Sequence, residues 1–436
     1  MRIVSLQWLI NKVSAIISYL GSYFIAWILI ITTGGAWFSD ATVWLDLNWF
    51  KWLALCVSIL VSILLICCTA TQKLELPSFV KKKFIIAILC IVTYMFQFQG
   101  DFEGYFGHFF LQIIWYGVLL ICIKKTELIW EAFINLMVII AIVSLFFYIM
   151  GSCLKILPET SVTALYWGVW DTSSIRKFYN VYYEAQFLKI AGGALVIPRN
   201  CGIFPEAPMY NFVLCVALAV ELFVAKKVYR WKIIVLILTI ISTLTTTGYL
   251  FLILTILCYF ANIVFEKRGM SIHKVMYVIL ALLGAVIALL LVLNKMTSPS
   301  GAGSFEVRSD HLFSCFRAWL DSPILGVGFE NETAVMDFVQ YKQGMSIGLP
   351  FLLATGGVVL TSVIVVPYVI NMMISISIRN YDEICFETLF IMLYFFTAIT
   401  KYPILVFYIA YSVMVNCEPK EKKRRIDNTR QAITLQ

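Results

Sequence analysis

Long apolar stretches alternate with short polar ones along nearly the whole chain. A helix that crosses the hydrocarbon core of a bilayer needs roughly 20 mostly apolar residues. Twelve stretches approach this length, and they predict transmembrane helices at about 13–33, 52–72, 84–98, 108–123, 132–153, 209–225, 233–246, 250–265, 275–294, 351–376, 385–400 and 402–417. Two long segments, 154–208 and 295–350, interrupt this series. The pattern therefore predicts an all-α polytopic membrane protein, with residues 1–436 forming one integral membrane domain.

The composition agrees with this class. Hydrophobic residues make up 61% of the chain and charged residues 13%. A soluble domain has roughly 45–50% apolar and about 25% charged residues. The spans contain almost no ionisable side chains, and the exceptions, Glu221 and Glu387, fall near predicted span ends.

The distribution of basic residues predicts the orientation. Most of the 33 lysines and arginines fall in alternate connections and in the two termini. Short basic connections belong in the cytoplasm, so both termini are predicted to be cytoplasmic and 418–436 to be a basic tail. The segments 154–208 and 295–350 then lie outside. The net charge of +8 follows from this topology and gives no reason to expect nucleic acid as a partner.

The first outer segment ends in an unusual stretch, Ile197–Met209, which reads I-P-R-N-C-G-I-F-P-E-A-P-M. No spanning helix tolerates three prolines, Gly202, Arg199 and Glu206 together, so the stretch predicts irregular backbone at the membrane surface. Upstream of it, 176–190 is predicted to form a helix on the membrane surface. The second segment opens with T-S-P-S-G-A-G-S, which predicts a flexible leader.

Basic residues on the outer side need a reason, because the positive-inside tendency disfavours them. They are Arg176, Lys177, Lys189, Arg199, Arg308 and Arg317. Arginine presents a planar fork of donors that matches phosphate oxygens, so a lipid diphosphate is an apt partner. Membrane lipid headgroups or outer carboxylates are the alternative partners. Arg199 and Arg308 are favoured, because Pro and Gly or a helix start give structure to their surroundings.

Several other polar residues are candidates for the same site. Glu206, and after it Asp310, are candidate general bases for a sugar hydroxyl, although acids at such positions often cap helices. His311 lies one helical turn after Arg308 and either helps to bind diphosphate or is a plain surface histidine. Tyr249 ends the turn T-T-T-G-Y, which either lines an acceptor path or is a tight helical-hairpin turn.

Other chemistries find no support. No two of the three histidines have metal-ligand spacing, so no metal site and no cofactor are expected. Neither a phosphate-cradling glycine loop nor a nucleophile elbow is present. Cys201 and Cys315 fall in the two outer segments, where a disulfide between them would be possible but is not favoured.

Three motifs resemble the O-antigen and capsule polymerase/ligase family, the Wzy-type polymerases and their ligase relatives. They are R-N-C-G-I-F-P-E-A-P-M-Y-N-F at 199–212, the T-T-T-G turn, and R-S-D-H-L-F-S-C-F-R-A-W-L-D-S-P-I-L-G-V-G at 308–328. The motifs fall within about 197–357. Ligases of this type carry a His-Asn pair about eleven residues before a glycine that resembles Gly357, whereas this chain has Ser346 and Ile347 there. The resemblance therefore favours a polymerase.

The resemblance implies a metal-independent, GT-C-like glycosyltransferase of the bacterial cytoplasmic membrane. Its donor and acceptor would be oligosaccharides linked to undecaprenyl diphosphate, and Arg199 and Arg308 would engage the diphosphate. Gly202, Arg176, Arg317, His311 and Tyr249 would add to substrate binding. A chain-length regulator and a flippase would be partners. Three readings compete with this one: a ligase of the same family, a lipid-linked oligosaccharide flippase, and a structural partner in a synthesis complex.

Overall fold

The computed structural model describes residues 2–43, 45–69, 82–85, 87–89, 110–123, 127–167, 170–190, 194–266, 271–297, 299–329, 331–341, 344–400 and 402–414. The predicted tail 418–436 lies outside these residues, as does most of the predicted span 84–98. The described chain is mostly helical. The helices are α1 Arg2–Thr32, α2 Leu47–Thr69, α3 Gln112–Ile123, α4 Glu127–Phe147, α5 Ala207–Phe223, α6 Arg230–Ser242, α7 Thr246–Glu266, α8 Ser271–Thr297, α9 Pro299–Asp321, α10 Glu332–Met336, α11 Leu349–Ile378, α12 Tyr381–Phe396 and α13 Pro403–Met414.

Among the described residues, five helical stretches are long and apolar enough to cross a membrane. They are Ile10–Thr32, Leu47–Cys67, Glu127–Cys153, Lys274–Thr297 and Leu349–Ile378. Four further apolar helices are shorter, namely Gln112–Ile123, Ala207–Phe223, Thr246–Asn262 and Pro403–Met414. The chain therefore has the helices of a membrane protein, and the count of twelve spans stays a prediction.

Helix α5 lies at the centre of the bundle. Nearly all of its side chains are buried, and it packs against α4, α6, α7 and α12. A helix that is apolar on every side is stable only when other helices surround it. The stretch 199–206 leads directly into this helix, so it sits at one end of the bundle core. Helix α8 is the opposite case, since it packs on α7 and α9 and exposes most of its apolar side chains.

The prediction of an all-α chain is wrong in the segment between α4 and α5, which contains five strands. A three-stranded antiparallel sheet is formed by β1 Ser161–Trp167, β2 Trp170–Phe178 and β3 Tyr182–Glu184. A separate hairpin is formed by β4 Phe187–Ile190 and β5 Leu195–Pro198. The predicted surface helix 176–190 is therefore wrong as well.

The error has a clear physical origin. Phe178 and Tyr182 are four residues apart, a spacing that places two residues on one helical face. In the structure they are instead cross-strand partners in a hairpin, with ring centroids 5.7 Å apart. Tyr179 and Asn180 form the turn between them with φ values of 50° and 55°. Turns with two positive φ angles match the twist of paired strands, and asparagine tolerates that conformation better than most residues.

A buried ion pair fastens the three-stranded sheet to the helices. Asp40, in the connection between α1 and α2, accepts hydrogen bonds from Lys177 Nζ at 2.9 Å and from Tyr183 Oη at 2.9 Å. Thr163 and Thr42 donate to its other oxygen. Burial alone would raise the pKa of the Asp40 carboxyl, but these hydrogen bonds hold it well below its usual range.

Replacing Asp40 by asparagine should lower the free energy of unfolding by about 3–5 kcal/mol, because Lys177 would then be buried without a counter-charge. Thermal unfolding in detergent measures this loss. The double variant Asp40→Asn/Lys177→Met should recover part of it, because neither charge then remains buried. An Asp40→Asn protein as stable as the wild type would show that the ion pair does not hold the sheet.

The motif P-I-L-G-V-G closes onto a break in α11. Gly357 has φ 59° inside this helix, and Gly326 has φ 71°. A Cβ atom on Gly326 would lie 2.4 Å from the backbone of Thr355, and one on Gly357 would lie 2.3 Å from the Ile324 carbonyl oxygen. The two glycines therefore permit a close crossing of two backbones, and this crossing fixes the end of α9 against α11.

The start of α9 differs from the prediction. The expected flexible leader is helical from Pro299. Proline is favoured in the first turn of a helix, where its missing N–H leaves no hydrogen bond unmade. The turn predicted at 245–249 lies earlier in the chain, at 243–245, because α6 ends at Ser242 and α7 begins at Thr246.

Candidate functional site

The stretch 199–206 is held in place by Asn200, whose side chain is fully buried. Its Nδ2 donates to Ser242 Oγ at 2.9 Å and to Ser144 Oγ at 3.3 Å, and its Oδ1 accepts from Gly202 N at 3.1 Å. The Asn200 backbone N–H donates to Ser242 O at 3.0 Å. Asn200 thus ties the stretch to the ends of α4 and α6.

Gly202, a predicted substrate-binding residue, has a packing role in the structure. It has φ 56°, and a Cβ atom there would lie 2.8 Å from the ring of Tyr210. That ring stacks on Phe204 with centroids 5.4 Å apart, and its hydroxyl meets Ser144 Oγ at 2.7 Å. Glycine is required because the backbone passes directly over a fixed aromatic ring.

Arg199 lies beside the start of α5. Its Nε donates to Thr243 O at 3.0 Å, and its Nη1 donates to Gln186 Oε1 at 3.1 Å. The same Gln186 oxygen accepts from the backbone N–H of Ala207 at 3.1 Å. The guanidinium is partly buried, and its other N–H groups have no partner among the described residues. Arg199 is therefore positioned by the fold and keeps donors for a ligand.

Arg308 reaches the same end of the bundle from α9. Its Nη1 donates to Phe396 O, the last residue of α12, at 3.2 Å. A helix C-terminus carries partial negative charge and favours a cation. Burial lowers the pKa of the Arg308 guanidinium and the charge of Glu206 opposes that shift. Arginine stays protonated in proteins, so a partly desolvated positive charge with several unused donors remains.

Glu206 and Lys295 complete the group. Glu206 interacts electrostatically with Arg199 and Arg308, but its carboxylate makes no hydrogen bond and no ion pair within 4 Å among the described residues. Burial raises the pKa of this carboxyl, and the two arginines oppose the shift. Lys295, near the end of α8, interacts electrostatically with both arginines. We call Arg199, Glu206, Lys295 and Arg308 the cationic cluster.

The cationic cluster has three positive charges and one negative charge in a partly desolvated place. Such an excess of positive charge is unfavourable without a counter-ion and favours the binding of a multiply charged anion. A carboxylate beside that anion, with a pKa above the ordinary value, is a better proton acceptor near neutral pH than an ordinary carboxylate. The arrangement can therefore hold a phosphate-bearing group and accept a proton next to it.

Other predicted site residues lie elsewhere or already have partners. Arg176 donates through Nε and Nη2 to Glu184 on the neighbouring strand. Arg317 is exposed on α9. Tyr249 lies in the first turn of α7, where its hydroxyl donates to Ile241 O at 3.3 Å and where it interacts electrostatically with Arg199. Of these residues, only Tyr249 is close to the cationic cluster.

Asp310 and His311 fasten α9 to the chain that precedes α11. Asp310 Oδ2 accepts from the backbone N–H groups of Gln340 at 2.8 Å and Tyr341 at 3.0 Å. His311 is fully buried, so the alternative of a surface histidine is wrong. Its Nδ1 accepts from Ser346 N at 3.3 Å, which leaves Nε2 to donate to Tyr341 O at 3.4 Å. Burial lowers the pKa of this imidazole, which favours the neutral form.

The cysteines of the two segments that were predicted to lie outside are both buried free thiols. Cys201 lies under the stretch 199–206, where burial raises its pKa to about 12. Burial has the same effect on Cys315, which lies on the face of α9 that packs against α11. The possible disulfide between them is absent. Within the described ranges, no group of three or more His, Cys, Asp or Glu side chains could hold a metal ion.

Three contributions were missed from the sequence. Lys295 was not considered because it lies at the end of a predicted span, although a lysine at an end predicted to be outer contradicts the positive-inside tendency. Gln186 was also missed, because nothing in the sequence indicates that its side chain contacts Arg199 and the backbone of Ala207. Glu387 was placed near a span end, but it is fully buried and linked through Asn371 to Lys83. The bundle therefore contains a buried polar network distinct from the cationic cluster.

Comparisons with known proteins gave no relative. A scan against protein-family models found no match, and searches of curated proteins and of solved structures found none either. The resemblance to the polymerase/ligase family therefore rests on the quoted motifs, and the family stays a prediction. The geometry of the cationic cluster is what supports a function for this chain.

Proposed function

We propose that this protein is a membrane glycosyltransferase that polymerises lipid-linked sugar repeats. It would transfer a growing glycan from undecaprenyl diphosphate onto a lipid-linked repeat unit at the outer face of the bacterial cytoplasmic membrane. The observation that carries the proposal is the cationic cluster at one end of an apolar helical bundle. A lipid diphosphate combines an apolar chain for the membrane with a charged group for Arg199, Lys295 and Arg308.

In the proposed reaction, the bond between the anomeric carbon and the diphosphate oxygen of the donor breaks. A hydroxyl of the acceptor repeat forms the new bond to that carbon, and Glu206 accepts its proton. Negative charge accumulates on the leaving diphosphate, where preformed cationic donors stabilise the transition state. The proton on Glu206 then passes to the released diphosphate or to water, which restores the carboxylate.

Binding of the substrate would also prepare Glu206 for this role. In the free protein the two arginines lower the pKa of the carboxyl and so oppose the effect of burial. A bound diphosphate neutralises these arginines, so the pKa of Glu206 should rise further. The carboxylate is then a stronger base when the donor is present. A chain-length regulator and a flippase are the partners that a polymerase of this kind would use.

A ligase of the same family would use the same diphosphate site, so the acceptor distinguishes it from a polymerase. Ser346 occupies the position at which the ligase pattern has histidine. In the structure its Oγ meets His311 Nδ1 at 2.9 Å. Ser346 is thus engaged in fastening α9, which supports a polymerase over a ligase.

A lipid-linked oligosaccharide flippase is the second candidate, and one observation favours it. Lys83 Nζ donates to Asn371 Oδ1 at 2.8 Å, and Asn371 Nδ2 donates to Glu387 Oε1 at 2.9 Å, inside the helical bundle. Ionisable groups within a membrane bundle are expensive and often serve transport. The polymerase is preferred because the cationic cluster lies at one end of the bundle.

One assay separates these candidates. Purified protein in detergent is incubated with an undecaprenyl-diphosphate repeat unit, with chelator and without nucleotide, and product length is followed on a gel. We expect a ladder of repeat-unit multiples that does not require metal. The absence of a ladder, together with movement of the same lipid across sealed vesicles, would contradict the polymerase and support the flippase.

A further inference from the structure

Helix α9 has two apolar faces, and the described residues of the chain cover one of them. Cys315 and Ala318 on the inner face are buried against Phe351 and Ala354 of α11. From Phe313 onward, the opposite face is largely exposed. Its exposed apolar side chains, with their exposed fractions, are Phe313 (64%), Phe316 (42%), Leu320 (68%) and, in the turn after the helix, Ile324 (67%). The spacing of Phe313, Phe316 and Leu320 places these three along one face of the helix. Together with Ile324 we call them the outer stripe.

The outer stripe is continuous with an exposed apolar surface of α11. Val358 N donates to Pro323 O at 3.0 Å and Val359 N donates to Ile324 O at 3.1 Å, so the end of the stripe adjoins the middle of α11. Val358 is itself 53% exposed, and exposed apolar residues follow it along α11 at Val369, Met373 and Ile376. These residues lie on a helix that is long and apolar enough to span the membrane.

The depth of this junction in a membrane follows from its position along α11. The part of α11 from Val358 to Ile378 is about 30 Å long at 1.5 Å per residue. The hydrocarbon core of a bilayer is also about 30 Å thick. With Ile378 at one boundary of the hydrocarbon core, Val358 and Ile324 lie at the other. Ile324, at the C-terminal end of the outer stripe, therefore lies at the membrane boundary.

The polar residues of α9 agree with this position at the membrane boundary. Glu306 is seven residues before Phe313 and so lies on the same face two turns earlier, where it accepts from Tyr341 Oη at 3.3 Å. The exposed face of α9 is thus acidic near its start and apolar from Phe313 onward. Arg317 borders the stripe, where its long side chain can reach lipid phosphate.

We propose that α9 is a lipid-binding helix. The part of α9 from Phe313 onward lies against the membrane, with Phe313, Phe316, Leu320 and Ile324 among the acyl chains of the adjacent leaflet, and the start of the helix lies in water. Arg317 lies at the level of the lipid phosphates. Arg308, seven residues before Cys315, is on the inner face, and this placement holds it and the cationic cluster at headgroup depth. Amphipathic helices of this composition bind membranes through buried apolar area and attraction to lipid phosphate.

A depth measurement tests this proposal. A fluorescent amino acid replaces Leu320 by codon suppression, and the full chain is reconstituted in phosphatidylcholine vesicles whose acyl chains are brominated. The matched control carries the same probe at Glu306, on the same face of the helix. We expect brominated chains to quench the probe at 320 and aqueous iodide to leave it bright, whereas iodide quenches the probe at 306.

Two results would overturn the proposal. Quenching at 320 by iodide but not by bromine would place the outer stripe in water. Protection at 320 from both quenchers would mean that protein, a second copy or a partner, covers the stripe. The probe reports position and not activity, so the outcome is independent of the transferase assay.

Discussion

Replacing Arg308 by alanine should lower the rate of chain growth roughly 100- to 1000-fold, the usual loss when one preformed donor to a developing anion is removed. Thermal stability should change little, because Arg308 makes one hydrogen bond to a described residue, the carbonyl oxygen of Phe396. Arg199 is a less informative target, since it also holds Thr243 and Gln186 in place. The rate is measured from the product ladder, and stability from thermal unfolding.

Two variants control this result. Arg308→Lys should recover part of the rate, because lysine keeps the charge but lacks the planar fork that binds two phosphate oxygens. Lys189→Ala removes an exposed cation of β4 and should leave the rate unchanged. Polymer of wild-type yield and length from Arg308→Ala would remove this arginine from the site.

Replacing Glu206 by glutamine should lower the rate about 100-fold or more, as expected for loss of a general base. It should also remove the acidic limb of the pH profile. The active form of the wild type has an ionised Glu206, so its rate rises with pH through the pKa of this carboxyl. Burial raises that pKa above the ordinary carboxylate value, so the limb should lie at higher pH than for an exposed glutamate.

The control for Glu206→Gln is the retention of donor binding, since glutamine removes a negative charge next to the diphosphate. The Michaelis constant for the donor should therefore fall or stay constant while turnover falls. A variant that keeps both the wild-type turnover and the acidic limb would mean that another group accepts the proton.

Much of the site could be predicted because its signals are local. The stretch at 199–206 violates the rules for a spanning helix, so irregular backbone there follows from composition alone. Arg308 stood out because it carries a positive charge in a segment predicted to lie outside, where the positive-inside tendency disfavours cations. The turn at Thr243–Thr245 agrees with the interpretation as a tight helical-hairpin turn. Its Thr245 Oγ1 accepts from Gly248 N at 3.2 Å at the start of α7.

The errors arose where long-range pairing decides the structure. The strands between α4 and α5 depend on cross-strand partners and on Asp40, which is more than 100 residues away from Lys177. The spacing of Phe178 and Tyr182 suits a helix and a tight hairpin equally well. Asp310 resembled a base or a helix cap, yet it binds the backbone of Gln340 and Tyr341, which no local pattern could indicate.

The central claim is that the cationic cluster binds a lipid diphosphate, and a binding measurement tests it most directly. Undecaprenyl diphosphate and undecaprenyl monophosphate are titrated into the purified protein, and bound lipid is counted by native mass spectrometry. The wild type should prefer the diphosphate, and Arg308→Ala and Lys295→Gln should lose that preference while still binding the monophosphate. Equal binding of the two lipids by the wild type, or a preference that survives both substitutions, would contradict the claim.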